Sequence, residues 1–217
     1  MIPIVSIVGK SGSGKTTLLE KVVAELTGRG YKVGTIKHDV HGFEIDYEGK
    51  DSWRHKRAGA ATVVLSGPGK IAVVKDVAEE WDIARLGLTF IDDADIIITE
   101  GYKKAGYPKI EVIRKAKSTK SICRKDKNLI AVTSDIKFKC RDMPCIDIND
   151  AKGIANFIEK RFLQKQAYNE TVDLMVNGKH ITLKPFIEGM LVETIKGMLK
   201  PLKGCSNQRN IEIRMKT

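Results

Sequence analysis

The 217-residue chain is expected to adopt an α/β fold: a mainly parallel sheet flanked by helices, followed by a small C-terminal ββαβ module. Three observations point there. Short β-branched apolar runs alternate with segments of helical apolar spacing, the pattern of strand–helix–strand crossovers. Aromatics are only 6% of residues against 42% hydrophobic, so the core is aliphatic, as in sheets buried on both faces. The last fifty residues change character, with alternation around Asn177-Gly178 that signals a hairpin.

Ile4 to Val8 reads as a buried strand closed by a glycine. From Lys15 to about Arg29, Leu18, Leu19, Val22, Val23 and Leu26 recur at helical spacing, with Gly28 and Gly30 at the exit. Lys32 to Ile36 is a second strand, and a long polar segment follows it. Helical signals return over Asp51 to Gly59, then strands near Thr62–Leu65 and Ile71–Val74 with a Gly-Pro-Gly turn between them. Residues 78–91 look helical. Strands follow at Ile96–Thr99, Ile110–Ile113, Leu129–Thr133 and Cys145–Ile148. Asn149 is positioned to cap a helix reaching about Gln166. These elements define a first domain over 1–167 and a second over 168–217, where Pro185 opens a helix that ends before Pro201 and "IEIRM" at 211–215 supplies a third strand.

Composition limits the function classes. The net charge of +11 and pI near 9.4 favour anionic partners such as nucleotides or phosphorylated cofactors. Acidic residues interleave with the basic ones and there is no dedicated Lys/Arg tail, so nucleic acid is not an expected partner. The four cysteines form no CxxC, and the Cys140–Cys145 and His38–His41 spacings are poor zinc patterns, so reduced thiols are expected. No apolar run approaches membrane-span length, and the apolar N-terminal run is too short for a secretory segment, so a cytoplasmic protein is expected.

The chemistry is carried by "GKSGSGKT", Gly9 to Thr16, which satisfies G-x-x-x-x-G-K-[ST] between a strand and a helix. Gly12 and Gly14 permit the turn that points successive amides, including those of Ser13, Thr16 and Thr17, at a phosphate. Lys15 neutralises phosphate charge, and the Thr16 hydroxyl is placed to ligate Mg2+. The second acid of such a site belongs at the carboxyl end of a neighbouring strand. Glu100, after Ile96–Thr99, occupies that place as metal partner through water or as base; Asp92, Asp93 and Asp95 lie at or before the strand's start. Lys37, His38 and Asp39 follow the second strand at the same edge, and Asp39 is a further candidate for Mg2+ through water. Lys50, Asp51 and Arg54 form a charged set at a helix start, suited to a phosphate or to solvent. The guanine-reading N-K-x-D is absent; Asp135, in "TSD" after a late strand, is the candidate base reader.

The N-terminal P-loop, "GTIKHDVHGFEIDYEGKDSWRHKRAGA" and "ITEGYKK" together resemble the MobB family of molybdopterin-guanine dinucleotide biosynthesis proteins over roughly residues 1–165. That resemblance implies a P-loop NTPase-like fold of the SIMIBI type, a homodimer, GTP and Mg2+ as ligands, and at most weak GTP hydrolysis. It further implies molybdopterin cofactor as substrate or cargo. The implied partners are a MobA-like nucleotidyltransferase, which joins GMP to Mo-molybdopterin, and molybdoenzyme apoproteins. Two readings stay open beside it: a P-loop small-molecule kinase and a GTP-dependent metallochaperone. The last fifty residues exceed the minimal family pattern.

Overall fold

The computed structural model describes residues 2–137, 143–164, 172–177, 179–203, 211 and 213. Its contacts divide the chain into one compact unit over Ile2–Leu163 and another over Gln164–Thr217.

The larger unit is built on six parallel strands in the order β2-β5-β1-β6-β7-β8. They are β1 (Ile4–Gly9), β2 (Val33–Lys37), β5 (Ile96–Glu100), β6 (Lys109–Ile113), β7 (Leu129–Ser134) and β8 (Cys145–Asp147). One face carries Val5, Ile7, Ile96, Ile98, Ile110, Val112 and Ala131. Helices α1 (Lys15–Gly28) and α4 (Ala151–Ile158) cover it with Leu18, Val22, Leu26, Ile154 and Ile158. At ~25 cal/mol per Å2 of apolar area removed from water, such layers supply the main drive for folding.

The opposite face is covered unevenly. Helix α3 (Ile83–Phe90) packs Ile83 against Ile4 and Ile97. Gly87 permits that approach, since a Cβ there would come within 2.8 Å of Ile97 Cδ1. Further along, loop residues rather than a helix close the sheet: Cys123 joins Val8, Ile113 and Val132. Helices on both faces were expected, and the second face instead shares its cover between α3 and loops.

Local details depart from the sequence expectation at three places. Residues 78–82 are not helical; Asp82 accepts a hydrogen bond from Arg85 N at 2.7 Å and so starts α3 five residues later. Asp150, not Asn149, caps α4 by accepting from Gly153 N at 2.8 Å, while Asn149 N donates to Asp147. Beyond Ile158 the chain widens into a π-helical turn, Glu159–Leu163. There Glu159 accepts from Arg29 at 2.5 Å and from the Tyr31 hydroxyl at 2.8 Å, tying it to the end of α1. These hydrogen bonds hold the Glu159 carboxyl below its ordinary range, with Tyr31 the larger cause.

The two expected strands around the Gly-Pro-Gly turn form their own antiparallel sheet, β3 (Thr62–Gly67) with β4 (Lys70–Lys75), separate from the parallel one. Only Val63 of this ribbon is buried; Val64, Leu65, Ile71 and Val73 are exposed. Helix α2 (Asp51–Arg57) precedes it.

In the smaller unit, β9 (Leu174–Val176) pairs antiparallel with β10 (Lys179–Ile181), and α5 runs Pro185–Leu199 with Pro185 in its first turn. Asn177 takes φ 50° in the connecting turn, a left-handed conformation Asn tolerates. The expected third strand at 211–215 lies outside the described residues apart from Ile211 and Ile213.

Candidate functional site

The carboxyl ends of β1, β2 and β5 meet at one edge, because the register sets Glu100 opposite Ile7 on one side and Lys37 on the other. Beyond β1 the chain enters the loop 10–14. Gly12 and Gly14 adopt φ 69° and 90°, and Gly14 is the N-cap of α1 without any side-chain cap. The first amides of α1 therefore keep no side-chain partner and point, with the helix dipole, into the loop. Gly9 has no room for a side chain: a Cβ would sit 2.6 Å from Val112 O and 2.9 Å from Ser13 Oγ. The Ser13 hydroxyl is 1% exposed and has no hydrogen-bond partner among the described residues.

Lys15 folds back over this loop, donating to Lys10 O at 3.0 Å and Gly9 O at 3.3 Å. The Thr16 hydroxyl donates to Glu100, with Oε1 at 2.9 Å and Oε2 at 3.0 Å. A hydroxyl whose proton is taken by a carboxylate turns its lone pairs outward, the orientation that suits a hard divalent cation. Thr17 is exposed on the next position of the helix. Arg114 approaches Gly14 and Lys117 approaches Gly12, so the loop after β6 adds two cations to the rim.

Of the three candidate metal residues, the fold brings Thr16 and Glu100 together. Asp39 turns to its own loop, accepting from His41 N at 3.0 Å. Lys37 ends β2, and His38 donates its backbone N–H to Glu100 O at 3.0 Å. The His38 ring stacks on Tyr102 at 4.4 Å between centroids and lies 3.0 Å from Glu80 through Nε2. Gly101 and Tyr102 take φ 96° and 53°, a sharp left-handed turn straight after Glu100.

Lys50 is the N-cap of α2, with Asp51 in its first turn and Arg54 3.8 Å from Asp51. All three are exposed, and Asp51 also suits the helix dipole. Asp135 follows β7 and accepts from Lys115 N at 2.8 Å, so its carboxylate fastens the Arg114–Ser118 turn.

Two residues escaped the sequence reading. Lys109 is 0% exposed and Glu111 1%, both on the loop-covered face of β6. Lys109 donates to Ala105 O and Tyr107 O and pairs with Asp126 at 2.9 Å. Glu111 accepts from the Ser121 hydroxyl at 2.5 Å, Ile122 N at 2.6 Å and Cys123 N at 3.3 Å. A backbone hydrogen bond from Asn128 and the Lys109 ammonium hold the Asp126 carboxyl below its ordinary range. These buried charges pin the 102–108 and 118–128 loops beside the P-loop. The signal was "KIEVI", charges at alternate positions of an interior strand, which require partners from flanking segments. Burial pushes the Cys123 thiol up to about 11, which leaves it protonated and unreactive at neutral pH. Among the described residues no group of three His, Cys, Asp or Glu side chains is placed to hold a metal ion by itself. No helix among them is long and apolar enough to cross a membrane.

The sequence profile of MobB, "Molybdopterin guanine dinucleotide synthesis protein B", matches residues 4–135. The molybdopterin-guanine dinucleotide biosynthesis adapter protein of Haemophilus influenzae is 38% identical over 73% of this chain and 88% of its own length. That of Escherichia coli is 34% identical over 76% of this chain and 96% of its own. A putative adapter protein of Methanocaldococcus jannaschii is 26% identical over 97% of this chain and 96% of its own length, so that match extends into the C-terminal unit. Among solved structures, a molybdopterin-guanine biosynthesis protein B superposes with a TM-score of 0.60 at 31% identity, over 73% of this chain and 98% of the other. Bacillus subtilis MobB gives 0.60 at 29% identity, over 74% and 98%. With more than half of its length inside the profile and relatives above 30% identity spanning most of it, the chain belongs to the MobB family.

Proposed function

We propose that this chain is a GTP- and Mg2+-binding adapter in molybdopterin guanine dinucleotide synthesis, working in the cytoplasm with a MobA-like nucleotidyltransferase that attaches GMP to Mo-molybdopterin. The observation that carries the reading is the Thr16–Glu100 pair beside Lys15, at the glycine-turned mouth of α1. These groups fit the ligands. Amides of Ser13 to Thr17 and the Lys15 ammonium receive phosphate oxygens. Thr16 and Glu100 are the residues that would hold Mg2+, which when bound would supply charge neutralisation on the terminal phosphates. Lys37 and His38 border the same edge, Asp39 is engaged within its own loop by His41 N and stays outside the metal position, and Asp135 is the base-side candidate. Lys50, Asp51 and Arg54 form an outer contact for partner or cofactor. The names of the relatives support the pathway, and hydrolysis, where it occurs, is slow and subordinate to complex formation.

The test mixes the protein with GTP, Mg2+ and the purified nucleotidyltransferase. The expected result is Mg2+-dependent GTP binding, co-elution of the two proteins and faster GMP attachment to the molybdenum-bearing pterin. Absent GTP binding, or GMP attachment unchanged by the protein, overturns the reading. Efficient phosphoryl transfer from GTP to a small acceptor would favour the kinase alternative instead.

The protein acts as a homodimer in this reading, and the β3–β4 ribbon supports it. A two-stranded sheet is marginal in water, yet this one exposes Val64, Leu65 and Ile71, 59%, 43% and 73% accessible. A second copy of the ribbon covers them. Ile71→Asp is expected to convert a dimer to a monomer in sedimentation velocity, with the circular dichroism spectrum retained. A monomeric parent protein, or a variant as dimeric as the parent, refutes this interface.

A further inference from the structure

An open cavity of about 780 Å3 adjoins the entry of the P-loop. That volume lies within the ~300–1,000 Å3 of ordinary small-molecule sites. Its wall is formed by Lys10 and Ser11 of the P-loop, Lys103 and Lys104 after β5, and Ile122 and Lys125 from the loop preceding β7. Four lysines from three separate segments thus line one concavity, and none of the four makes an ion pair among the described residues. The one carboxylate on the wall, Asp126, is already engaged by the buried Lys109 at 2.9 Å. Unpaired like charges in one concavity repel and focus a positive potential, which an anionic ligand relieves.

The fold maintains this arrangement. Lys109 holds the turn that carries Lys103 and Lys104, through Ala105 O and Tyr107 O. Glu111 holds the Ser121–Cys123 strip through three donors. The P-loop wall of the cavity is Gly9, Lys10 and Ser11, and the Lys15 ammonium reaches Gly9 O and Lys10 O, so the cavity abuts the nucleotide cradle of Lys15, Thr16 and Glu100. Ile122, 42% exposed, and the methylene stems of the lysines give an apolar surface beside the charges.

A dinucleotide is assembled by linking two phosphate-bearing partners, and the P-loop accounts for one. We infer that the Lys10–Lys103–Lys104–Lys125 cavity is a second anion site, binding the phosphomonoester of a ring-bearing ligand of the pterin class next to the bound nucleotide. This deepens the adapter reading and rests on it for the identity of the ring, while the anion site itself rests on the lysines. The Lys50 and Arg54 set then lies free for other contacts.

The probe is a fluorescent 6-alkylpterin phosphomonoester, titrated by anisotropy with and without saturating GTP and Mg2+. The expected result is binding that persists under GTP, falls at least tenfold in K103A/K104A and falls at least tenfold for the dephosphorylated pterin. GTP affinity in K103A/K104A stays within twofold, and Lys15→Ala loses GTP while keeping the pterin phosphate. Competition between GTP and the probe, or equal binding of the dephosphorylated pterin, overturns the proposal. So does a parallel fall in GTP affinity in K103A/K104A, which would make the cavity an extension of the nucleotide site. So does displacement of the probe by equimolar inorganic phosphate, which would show a site without selection for the ring. Each of these failures leaves GTP binding intact in the parent protein, so the adapter reading is judged separately by its own assay.

Discussion

Replacing Lys15 by alanine is expected to lower GTP affinity by roughly two orders of magnitude while the protein stays folded. Lys15 holds its ammonium over the loop through Gly9 O and Lys10 O, so it is in place before any phosphate arrives. A charge-assisted hydrogen bond contributes ~1.5–3 kcal/mol, and a phosphate receives both that bond and the direct neutralisation of its charge. The cost to the fold is small, within ~0.5 kcal/mol, because the partners released are loop carbonyls that water can solvate. Calorimetric titration with GTP and Mg2+, beside thermal unfolding, separates the two effects. Unchanged affinity would refute the assignment of the loop as the phosphate site.

Glu111→Ala is expected to be the most damaging single substitution to stability, costing about 3 kcal/mol. The carboxylate satisfies Ser121 Oγ, Ile122 N and Cys123 N in a place closed to solvent, so its removal strands three donors together. The loop they belong to covers Val8, Ile113 and Val132, which would then be wetted. Urea unfolding should show the loss, and hydrogen exchange should show it concentrated in 118–128. A loss below ~1 kcal/mol would mean that the loop is held by its apolar contacts alone. Glu111→Gln retains the shape and one acceptor oxygen, and it should fall between the two.

The P-loop was legible because its geometry is encoded within eight contiguous residues, Gly9 to Thr16. The parallel sheet was legible because β-branched runs such as Ile4–Val8 and Ile96–Thr99 are buried on both faces and need no alternation. Glu100 followed from its place at a strand end, and α5 from prolines at both ends. What escaped was set by distant pairing. Nothing local says that β3 and β4 bond to each other alone, nor that α3 begins at Asp82 rather than near residue 78. Lys109 and Glu111 drew no reading although "KIEVI" carries the signal, because the partners that satisfy them come from loops that only the fold brings together. The partners of Asp39 and Asp135 were equally hidden: each accepts a backbone N–H, of His41 and of Lys115, that no motif announces.

The imidazole of His38 meets two segments with its two ends. Its face lies on Tyr102, which holds a left-handed φ of 53°, and its Nε2 reaches Glu80 across 3.0 Å. The backbone of the same residue is bonded to Glu100 O, and its Cβ would lie 3.1 Å from a side chain on Gly101. One ring therefore works as a pivot pin. Rotating it would give up either the stack or the carboxylate, so the strand exit that carries it, the acidic stretch at 79–80 and the turn leading to Lys103 and Lys104 share a single mechanical joint.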